Sequence, residues 1–263
     1  MRKEVKANER SWNLLAKDHY ETFKKRLSEN NQILNPLIIQ ELGDIKGKTL
    51  MHLQCNTGAD TLSLARLGAK VFGVDLAPDN IVYAQKLFSD FSTEGQFYTA
   101  DLMSFGEHHD QQYDVVFTSE GAIIWLPDFK IWAQTIRKLL KDDGFVYIND
   151  MHPFFLMLDE NQLSNGIFAY KYPYFNRQMD KEETIGGYAA KERPGECYAW
   201  MYSMSDIINA LIDAGLQIEY IHEFDDLCYD LGNMTKLPSG QYYYPAWKGK
   251  IPFMFSIKAT IKK

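Results

Sequence analysis

The chain has only three cysteines in 263 residues, Cys55, Cys197 and Cys228, and they lie far apart. They lack the spacing of metal ligands, and the histidines and carboxylates show no pattern such as H-E-x-x-H. We therefore expect reduced thiols and no metal site. No apolar run approaches the roughly 20 residues of a membrane span, and the charged start MRKEVKANERSWNLL has no signal-peptide core. The sequence predicts a cytoplasmic protein without a membrane span.

Basic residues are also in short supply. The chain has 28 Lys and Arg against 35 Asp and Glu, so its formal net charge is −7. This balance argues against a broad nucleic-acid-binding surface, and no nucleic-acid partner is expected. Because 46% of the residues are hydrophobic, the chain can bury a sizeable core, and one large domain over residues 1–263 is predicted.

The segment from Thr49 to Asp75 has the pattern of a strand, a tight turn, a helix and a second strand. Such a βαβ unit presents free N–H groups at the helix start and a carboxylate after the second strand, as nucleotide-binding sites require. The glycine signature G-x-G-x-x-G is absent, because Gln54 and Asn56 precede Gly58. The unit therefore predicts a nucleotide-type ligand held by an altered turn.

The alternation of strands and helices continues after this unit, as a parallel sheet requires. A helix is predicted over 78–91 and another over 128–140, with strands over 96–100, 113–118 and 145–148. Polar residues follow the strands, and in an open α/β sheet these ends meet at one crevice. The residues predicted to line it are Gln54 to Gly58, Asp75, Asp101, Ser119, Glu120 and His152.

These segments resemble the class I S-adenosylmethionine-dependent methyltransferases, in particular the small-molecule group that includes ubiquinone and menaquinone methyltransferases. Residues 50–58, LMHLQCNTG, match the family turn V-L-D-L-G-C-G-x-G. Further matches are GVD at 73–75, TADL at 99–102 and WLPD at 125–128. The similarity covers about residues 45 to 150 well. It implies a Rossmann-like, doubly wound α/β fold with S-adenosyl-L-methionine as the cofactor.

The implied fold has a seven-stranded, mostly parallel sheet whose last strand is antiparallel. The sixth strand is predicted at Leu216 to Phe224 and the seventh at Ile251 to Ile261, with a helix from Ser205 to Ala214 before them. An N-terminal helical cap is assigned to residues 1–44, and an insertion after the fifth strand to residues 153–203.

The resemblance also implies roles for single residues. Gly58 and the backbone at Gln54 and Asn56 approach the methionine part of the cofactor, and Asp75, with Leu76 beside it, holds the ribose. The adenine is assigned to Asp101 and Leu102, and a further cofactor contact to Ser119. One departure concerns charge, since His52 stands where the family has an acidic residue that orders the turn and the cofactor's ammonium group. Asn tolerates positive φ, so Asn56 can keep the turn.

The N-terminal region is predicted to form a helix from Glu9 to Leu27. One face of it carries residues at three- and four-residue spacing, namely Trp12, Leu15, Ala16, His19, Tyr20 and Phe23. In similar enzymes an aromatic residue of such a helix covers the cofactor, and Tyr20 is the candidate. The alternative is that Trp12 and Tyr20 only pack on the sheet.

The insertion over residues 153–203 is rich in aromatic residues and has no sustained alternation. It predicts a lid that encloses an aromatic or apolar acceptor. A small satellite core and a homodimer surface are the alternatives. Its aromatic residues are Phe154, Phe155, Phe168, Tyr170, Tyr172, Tyr174, Phe175 and Tyr188.

Methyl transfer from a sulfonium is an in-line displacement, so alignment and desolvation can supply much of the rate. An oxygen or nitrogen acceptor still needs a base when it must lose a proton. His152 and Glu120 are the candidates, because each follows a strand at the crevice. The alternative for His152 is that it only ends its strand with a hydrogen bond to backbone.

Two other functions fit parts of the sequence. An NAD-dependent oxidoreductase also uses a βαβ unit with a ribose-binding acid, but the missing glycines and the motif around Asp101 disfavour it. A non-catalytic module that binds S-adenosylmethionine or a nucleotide would keep the fold, and His52 and Gln54 are its best support. The favoured function is methyl transfer to a small-molecule acceptor.

Overall fold

The computed structural model describes residues 1–175, 179–187 and 189–263, so Tyr188 of the predicted aromatic insertion lies outside the described residues. Eleven strands are present in this part of the chain. In chain order they are β1 (Thr49–Leu53), β2 (Lys70–Asp75), β3 (Gln96–Thr99), β4 (Tyr113–Ser119), β5 (Leu140–Met151), β6 (Met179–Gly187), β7 (Ala190–Trp200), β8 (Leu216–Phe224), β9 (Thr235–Lys236), β10 (Tyr242–Tyr243) and β11 (Met254–Ile261).

Helices cover both faces of the main sheet. They are α1 (Lys3–Glu29), α2 (Pro36–Leu42), α3 (Ala59–Arg66), α4 (Pro78–Asp90), α5 (Leu102–His108), α6 (Phe129–Leu139), α7 (Pro153–Leu156), α8 (Glu160–Ser164) and α9 (Met204–Asp213), with a short 3₁₀ helix at Ile123–Trp125. Helices α1 to α4 share one buried cluster with the sheet, and α5, α6 and α9 share another on the opposite face. Within the residues described, none of the helices is both long and apolar enough to cross a membrane.

The main sheet has seven strands in the order β3-β2-β1-β4-β5-β11-β8. Neighbouring strands from β3 to β5 are parallel, whereas β11 is antiparallel to both β5 and β8. This is the predicted doubly wound sheet with an antiparallel last strand. The strand order reverses between β1 and β4, and the crevice at such a switch point is where ligands bind in this type of sheet.

Several element boundaries differ from those predicted. The first helix begins at Lys3 rather than Glu9, and β11 begins at Met254 rather than Ile251. β5 starts at Leu140 rather than at residue 145 and runs through residues 142–144. Its pairing with β4 shifts there, because Tyr113 pairs with Leu140 and Val115 with Phe145. The Asp-Asp-Gly sequence thus forms an irregularity at the start of the strand.

The predicted insertion contains more regular structure than its sequence indicated. Its second half is the antiparallel β6–β7 hairpin, which packs on α1. The Asn8 side chain donates to the Tyr198 carbonyl at 2.8 Å and accepts from the Tyr198 N–H at 2.7 Å. Ser11 Oγ donates to the Glu196 carbonyl at 2.7 Å. The N-terminal helix and the hairpin therefore form one unit over the sheet.

The first half of the insertion forms a satellite core. Phe155 and Leu163 of α7 and α8 pack with Leu227, Tyr244 and Phe253, which come from the end of the chain. In contrast, Tyr170 is 72% exposed and Phe175 is 84% exposed. The satellite-core alternative thus describes part of the aromatic set, and other members lie on the surface.

The turn after β1 keeps the family backbone without the family glycines. Gln54 has φ of 55° and Asn56 has φ of 50°, both in the left-handed region. Such backbone costs about 1–2 kcal/mol for an ordinary L residue and less for Asn. Hydrogen bonds hold the strained shape, because Thr57 N–H donates to Asn56 Oδ1 at 2.6 Å and Gln54 Nε2 donates to the Ala122 carbonyl at 2.7 Å.

The turn after β4 is organised by one buried carboxylate, Asp150, which is 1% exposed. It accepts the backbone N–H groups of Gly121, Ala122 and Ile123 at 2.6, 3.0 and 3.0 Å, and that of Met151 at 2.7 Å. These bonds hold the preceding residue, Glu120, at φ of 43°. Asp150 therefore fixes the backbone position from which the Glu120 side chain extends.

Asp150→Asn should lower the free energy of unfolding by about 3 kcal/mol, because an amide leaves at least one buried N–H without an acceptor and weakens the other bonds. Urea unfolding followed by circular dichroism measures the change. Asp143→Asn is the control, since Asp143 is 93% exposed and should change stability by less than about 0.5 kcal/mol. Equal effects of the two substitutions would contradict this role of Asp150.

Asn56→Gly should keep the stability of the protein, while Asn56→Ala should lower it by about 1–2 kcal/mol. Both substitutions remove the bond to Thr57, but only glycine relieves the positive φ. Thermal and urea unfolding of the two variants, which differ by one methyl group, compare these effects. If both lost the same stability, the side-chain bond rather than the backbone would be the dominant factor.

Candidate functional site

A cavity of about 800 Å³ lies at the carboxyl ends of β1, β2 and β4. This volume is in the range of small-molecule sites. Many of the residues predicted for the crevice line it together, namely Gln54, Asn56, Asp75, Leu76, Asp101, Leu102, Ser119 and Glu120. Because these residues come from separate parts of the chain, their convergence is a property of the folded sheet.

Asp75 ends β2 at the bottom of the cavity and is 8% exposed. Its Oδ2 accepts the Asn56 N–H at 2.8 Å, and its Oδ1 accepts Ala77 N–H at 2.9 Å and Asn80 Nδ2 at 3.0 Å. A carboxylate has about four acceptor positions, so about one remains for a ligand. Asp75 thus links the two turns of the βαβ unit and keeps some capacity to bind a hydroxyl.

Asp101 and Leu102 form another part of the lining. Asp101 is the N-cap of α5, and its Oδ1 accepts the Met103 N–H at 3.0 Å. This leaves its second carboxylate oxygen for a ligand. The backbone of Ala100 just before it is fixed by a 2.9 Å bond to the Asp75 carbonyl. The two carboxylates predicted for the site are therefore held by neighbouring strands.

Gly58 has a different role from the one predicted. It is not among the described residues that line the cavity. Its φ of 77° makes it the left-handed N-cap of α3, and a Cβ there would lie 3.1 Å from Ala84 Cβ. Gly58 therefore allows α3 and its turn to pack closely on α4.

Tyr20 also lies away from the described lining of the cavity. It stacks on Tyr83 with ring centroids 5.1 Å apart, and its hydroxyl donates to Asp90, which also pairs with Lys24 at 2.9 Å. Tyr20 thus joins α1 to α4, which corrects its predicted place over the cofactor. Tyr20 has a packing role, as in the second of the two alternatives given for it above.

Other aromatic residues of α1 face the cavity. Trp12, His19 and Phe23 line it, at spacings of seven and four residues along the helix. Trp12 makes an edge contact with Trp125 of the 3₁₀ helix, with centroids 5.2 Å apart. Burial lowers the pKa of His19 to about 4, so the imidazole is neutral. The aromatic residues of α1 that reach the cavity therefore lie on the face next to Tyr20.

Two carboxyl groups come from the turns on either side of the switch point. Ser119 Oγ donates to Asp60 Oδ2 at 3.1 Å, and Asp60 and Glu120 both line the cavity. Burial first, and then the charge of Asp60, raises the pKa of Glu120 to about 8. Burial also raises the pKa of Asp60 to about 6. Asp60 was not predicted as a site residue, although its place in the first turn of α3, two residues after Gly58, was a usable signal.

His52 lies on β1 where the family has an acidic residue. It is 3% exposed, its Nδ1 is 2.8 Å from Thr61 Oγ1, and its ring packs edge-on against Phe117. Burial lowers its pKa to about 3, so it is neutral near pH 7. The negative charge expected on this strand is therefore missing.

His152 is committed to structural bonds. Its Nδ1 accepts the Phe154 N–H at 3.0 Å, and its Nε2 lies 2.8 Å from Glu223 Oε1. It is not among the described residues lining the cavity. This is the alternative in which His152 only ends its strand with a hydrogen bond to backbone. Because both ring nitrogens have partners, neither is free to accept a proton from a substrate.

The far side of the cavity comes from a segment to which the sequence analysis gave no role. The connection between β8 and β11 contributes Cys228, Tyr229, Lys236, Ser239, Gly240 and Gln241 to the lining. Among the described residues of the insertion, only Gly186 and Gly187 reach it. The insertion closes the cavity through the tip of its hairpin rather than through the predicted aromatic lid.

The residues present fit S-adenosylmethionine. The left-handed turn opens backbone to the cavity, Asp75 keeps an acceptor position, and buried oxygens of Gln54 and Glu120, both lining residues, have no hydrogen-bond partner in the described structure. Buried polar atoms are normally paired. Unpaired atoms at this place indicate that a polar ligand completes the site.

Comparison with known proteins supports the same conclusion. Residues 51–146 match the family model for a methyltransferase domain. The chain is 28% identical over 204 residues to an uncharacterized protein of Haemophilus influenzae, covering 75% of this chain and 78% of that protein. It is 28% identical over 174 residues to a ubiquinone biosynthesis O-methyltransferase of Yersinia enterocolitica, covering 64% of this chain and 67% of the relative. The match to the enzyme of that name in Hydrogenovibrio crunogenus spans 50% of its length at 27% identity.

Solved structures show the same fold. An S-adenosylmethionine-dependent methyltransferase from Mesorhizobium loti superposes with a TM-score of 0.57 at 19% identity, covering 85% of this chain and 95% of that one. Another from Clostridium acetobutylicum gives 0.55 at 14% identity, covering 94% and 92%. The family model, the sequence relatives and the strand order agree with the position of the cavity at the carboxyl ends of the strands. Residues 51–146 thus form a methyltransferase domain, and the chain has the fold of S-adenosylmethionine-dependent methyltransferases.

Proposed function

We propose that the protein transfers the methyl group of S-adenosylmethionine to a small molecule, with Glu120 as the base that accepts the acceptor's proton. The observation that carries this proposal is the Glu120 carboxyl group. It lines the cavity, and its Oε1 is buried with no hydrogen-bond partner among the described residues. Such an oxygen is available to an O–H or N–H group of an acceptor.

The acceptor is placed on the far side of the cavity from Asp75 and Asp101. Apolar lining there comes from Ile33, Leu34 and Met151, and polar groups come from the segment between β8 and β11. The mixture suits an acceptor with an apolar or aromatic body and one polar reacting group. The activity named for the Yersinia and Hydrogenovibrio relatives is O-methylation, which supports a hydroxyl acceptor.

The chain's own residues have three tasks in this reaction. The cofactor supplies an electrophilic methyl group and a neutral leaving group. Asp75, Asp101 and the β1 turn hold the cofactor in a fixed orientation, and the α1 face with Trp12 excludes water. Glu120 then takes the proton of the hydroxyl as its oxygen attacks the methyl carbon. Fixed geometry is worth most in such a displacement, because little covalent chemistry is required of the protein.

Asp75→Asn should weaken the binding of S-adenosylhomocysteine about ten- to hundredfold, because a hydrogen bond to an ionised carboxylate is lost. Titration calorimetry measures the affinity, and Asp79→Asn, an exposed acid in the next helix, is the control. The wild type should also discriminate against the 2′-deoxy analogue, and the variant should not. A variant that still discriminated would place the ribose away from Asp75.

Glu120→Gln should lower kcat about 10²- to 10⁴-fold, as expected for the loss of a general base. The assay incubates the protein with a bacterial metabolite extract and trideuteromethyl-labelled cofactor, and mass spectrometry follows the label. Label should enter molecules that pass a small-pore filter, with His152→Gln as the comparison variant. Label found only in protein or RNA, or full activity of Glu120→Gln, would contradict the proposal.

The pH dependence should follow the ionisation of Glu120. Because its pKa is about 8 in the free protein, the group is protonated at pH 6 and becomes a base only as pH rises. We expect kcat/KM for the cofactor to increase about tenfold per pH unit up to about pH 8 and then to level off. Stopped-assay initial rates at low cofactor concentration measure this profile. A profile that falls over this range would contradict it.

A further inference from the structure

Asp60 and Glu120 are brought together by the sheet. Asp60 follows the turn after β1, Glu120 follows β4, and these strands are parallel neighbours with His52 opposite Phe117. The Ser119 hydroxyl bridges toward Asp60 at 3.1 Å. The two carboxyl groups therefore lie at the junction of the two turns that line the cavity.

Among the residues that the structure describes, none supplies a compensating cation to this pair. The groups that act on the Glu120 carboxyl are Asp60, Cys228, Asn35 and Asp150, and none of these described groups is basic. The imidazole of His52 is neutral, and the basic residues of the cavity lining, Arg26 and Lys236, are exposed. Two half-buried carboxylates whose charges act on each other cannot both ionise at low cost. The pair therefore keeps a proton at neutral pH.

The unpaired Glu120 Oε1 indicates what completes the site. A buried oxygen without a partner in the described structure is costly unless a ligand supplies one. The neighbouring Gln54 Oε1 is unpaired as well and also belongs to a lining residue. These oxygens are acceptors or anions, so the ligand group that matches them is a cation or a hydrogen-bond donor.

We propose that the Asp60–Glu120 pair holds one shared proton in the free protein and releases it to solvent when the sulfonium cation of S-adenosylmethionine binds. The pair then distinguishes the charged cofactor from S-adenosylhomocysteine, which lacks the methyl group and with it the sulfonium charge. It takes over the negative charge that the neutral His52 does not provide on β1.

This inference deepens the proposed function, because proton release converts Glu120 into the base. The charges balance over one turnover. Binding of the cation expels one proton to solvent. In the transfer step, the acceptor oxygen gains the methyl group, the C–S bond breaks with its electron pair on sulfur, and the acceptor proton moves to Glu120. The pair again holds one proton. S-adenosylhomocysteine carries no sulfonium charge, so no attraction to a fully ionised pair holds it in the cavity.

Titration calorimetry at pH 7.0 in phosphate and in Tris tests the inference, because the difference in buffer ionisation enthalpy reports the number of protons released. The ligands are S-adenosylmethionine and S-adenosylhomocysteine, without acceptor. We expect close to one proton released with the former and close to none with the latter. The affinity for S-adenosylmethionine should increase up to about tenfold per pH unit below pH 8, and that for S-adenosylhomocysteine should stay nearly constant.

Variants give the matched comparison. Glu120→Gln and Asp60→Asn should each abolish proton release, and the preference for S-adenosylmethionine should fall at least about tenfold at pH 8. Glu223→Gln, an acid that pairs with His152 outside the described cavity lining, should keep both properties. Thermal melting confirms that each variant is folded. Because two separate residues are tested, misfolding of one still leaves a decisive variant.

The outcomes separate this inference from the proposed function. Equal proton release with both ligands, or undiminished release from folded Glu120→Gln, would overturn the inference. If the wild type released no proton but Glu120→Gln lost transfer activity, the inference would fail and the catalytic base would stand. If proton release occurred as expected but Glu120→Gln still methylated small molecules, the pair would be a cation site and the base would lie elsewhere.

Discussion

The Asp150 carboxylate is the interaction on which the site most depends. It gathers four backbone N–H groups, three from the turn after β4 and one from its own strand. A buried carboxylate is expensive unless its oxygens are satisfied, and these bonds satisfy them. The turn is therefore held against β5 in a single shape, with Glu120 at positive φ and the Ala122 carbonyl available to Gln54. The turns after β1 and β4 are linked through that last bond.

The part of the cavity lining that α1 forms depends on contacts between distant parts of the chain. Asn8 binds the backbone of Tyr198, 190 residues away, by two hydrogen bonds. The hairpin fixes α1 over the carboxyl ends of the strands, and α1 in turn presents Trp12, His19 and Phe23 to the cavity. The insertion therefore acts on the site mainly by positioning the N-terminal helix. Among its described aromatic residues, Phe154 and Phe155 pack in the satellite core, whereas Tyr170 and Phe175 are exposed.

The distribution of charge in the cavity differs from that implied by the family pattern. The strand position of the usual acid is a neutral, buried His52, while Asp60 and Glu120 place carboxyl groups on the two adjoining turns. The same physical requirement, negative charge next to a cationic cofactor, can be met from either place. Substitution at one position of a motif is thus compatible with a working site when neighbouring residues supply the charge.

Local sequence determined most of the strands and helices, the family resemblance and several of the residues that line the cavity. Apolar periodicity and turn residues act over a few positions, and parallel strands must bring their carboxyl ends together, so Asp75, Asp101, Ser119 and Glu120 could be placed without coordinates. The family turn could be recognised in spite of Gln54 and Asn56, because its spacing is retained.

Only the tertiary structure decided which of two adjacent residues faces the cavity. It also decided which polar side chains already have hydrogen-bond partners within the protein. Tyr20 and His19 are adjacent on one helix, and the rotation of α1 that separates them is set by packing on α4 and the hairpin. His152 was excluded as a base by bonds to Phe154 and Glu223, and Asp60 joined Glu120 through strand pairing. These outcomes depend on the position and burial of distant groups, which local sequence does not specify.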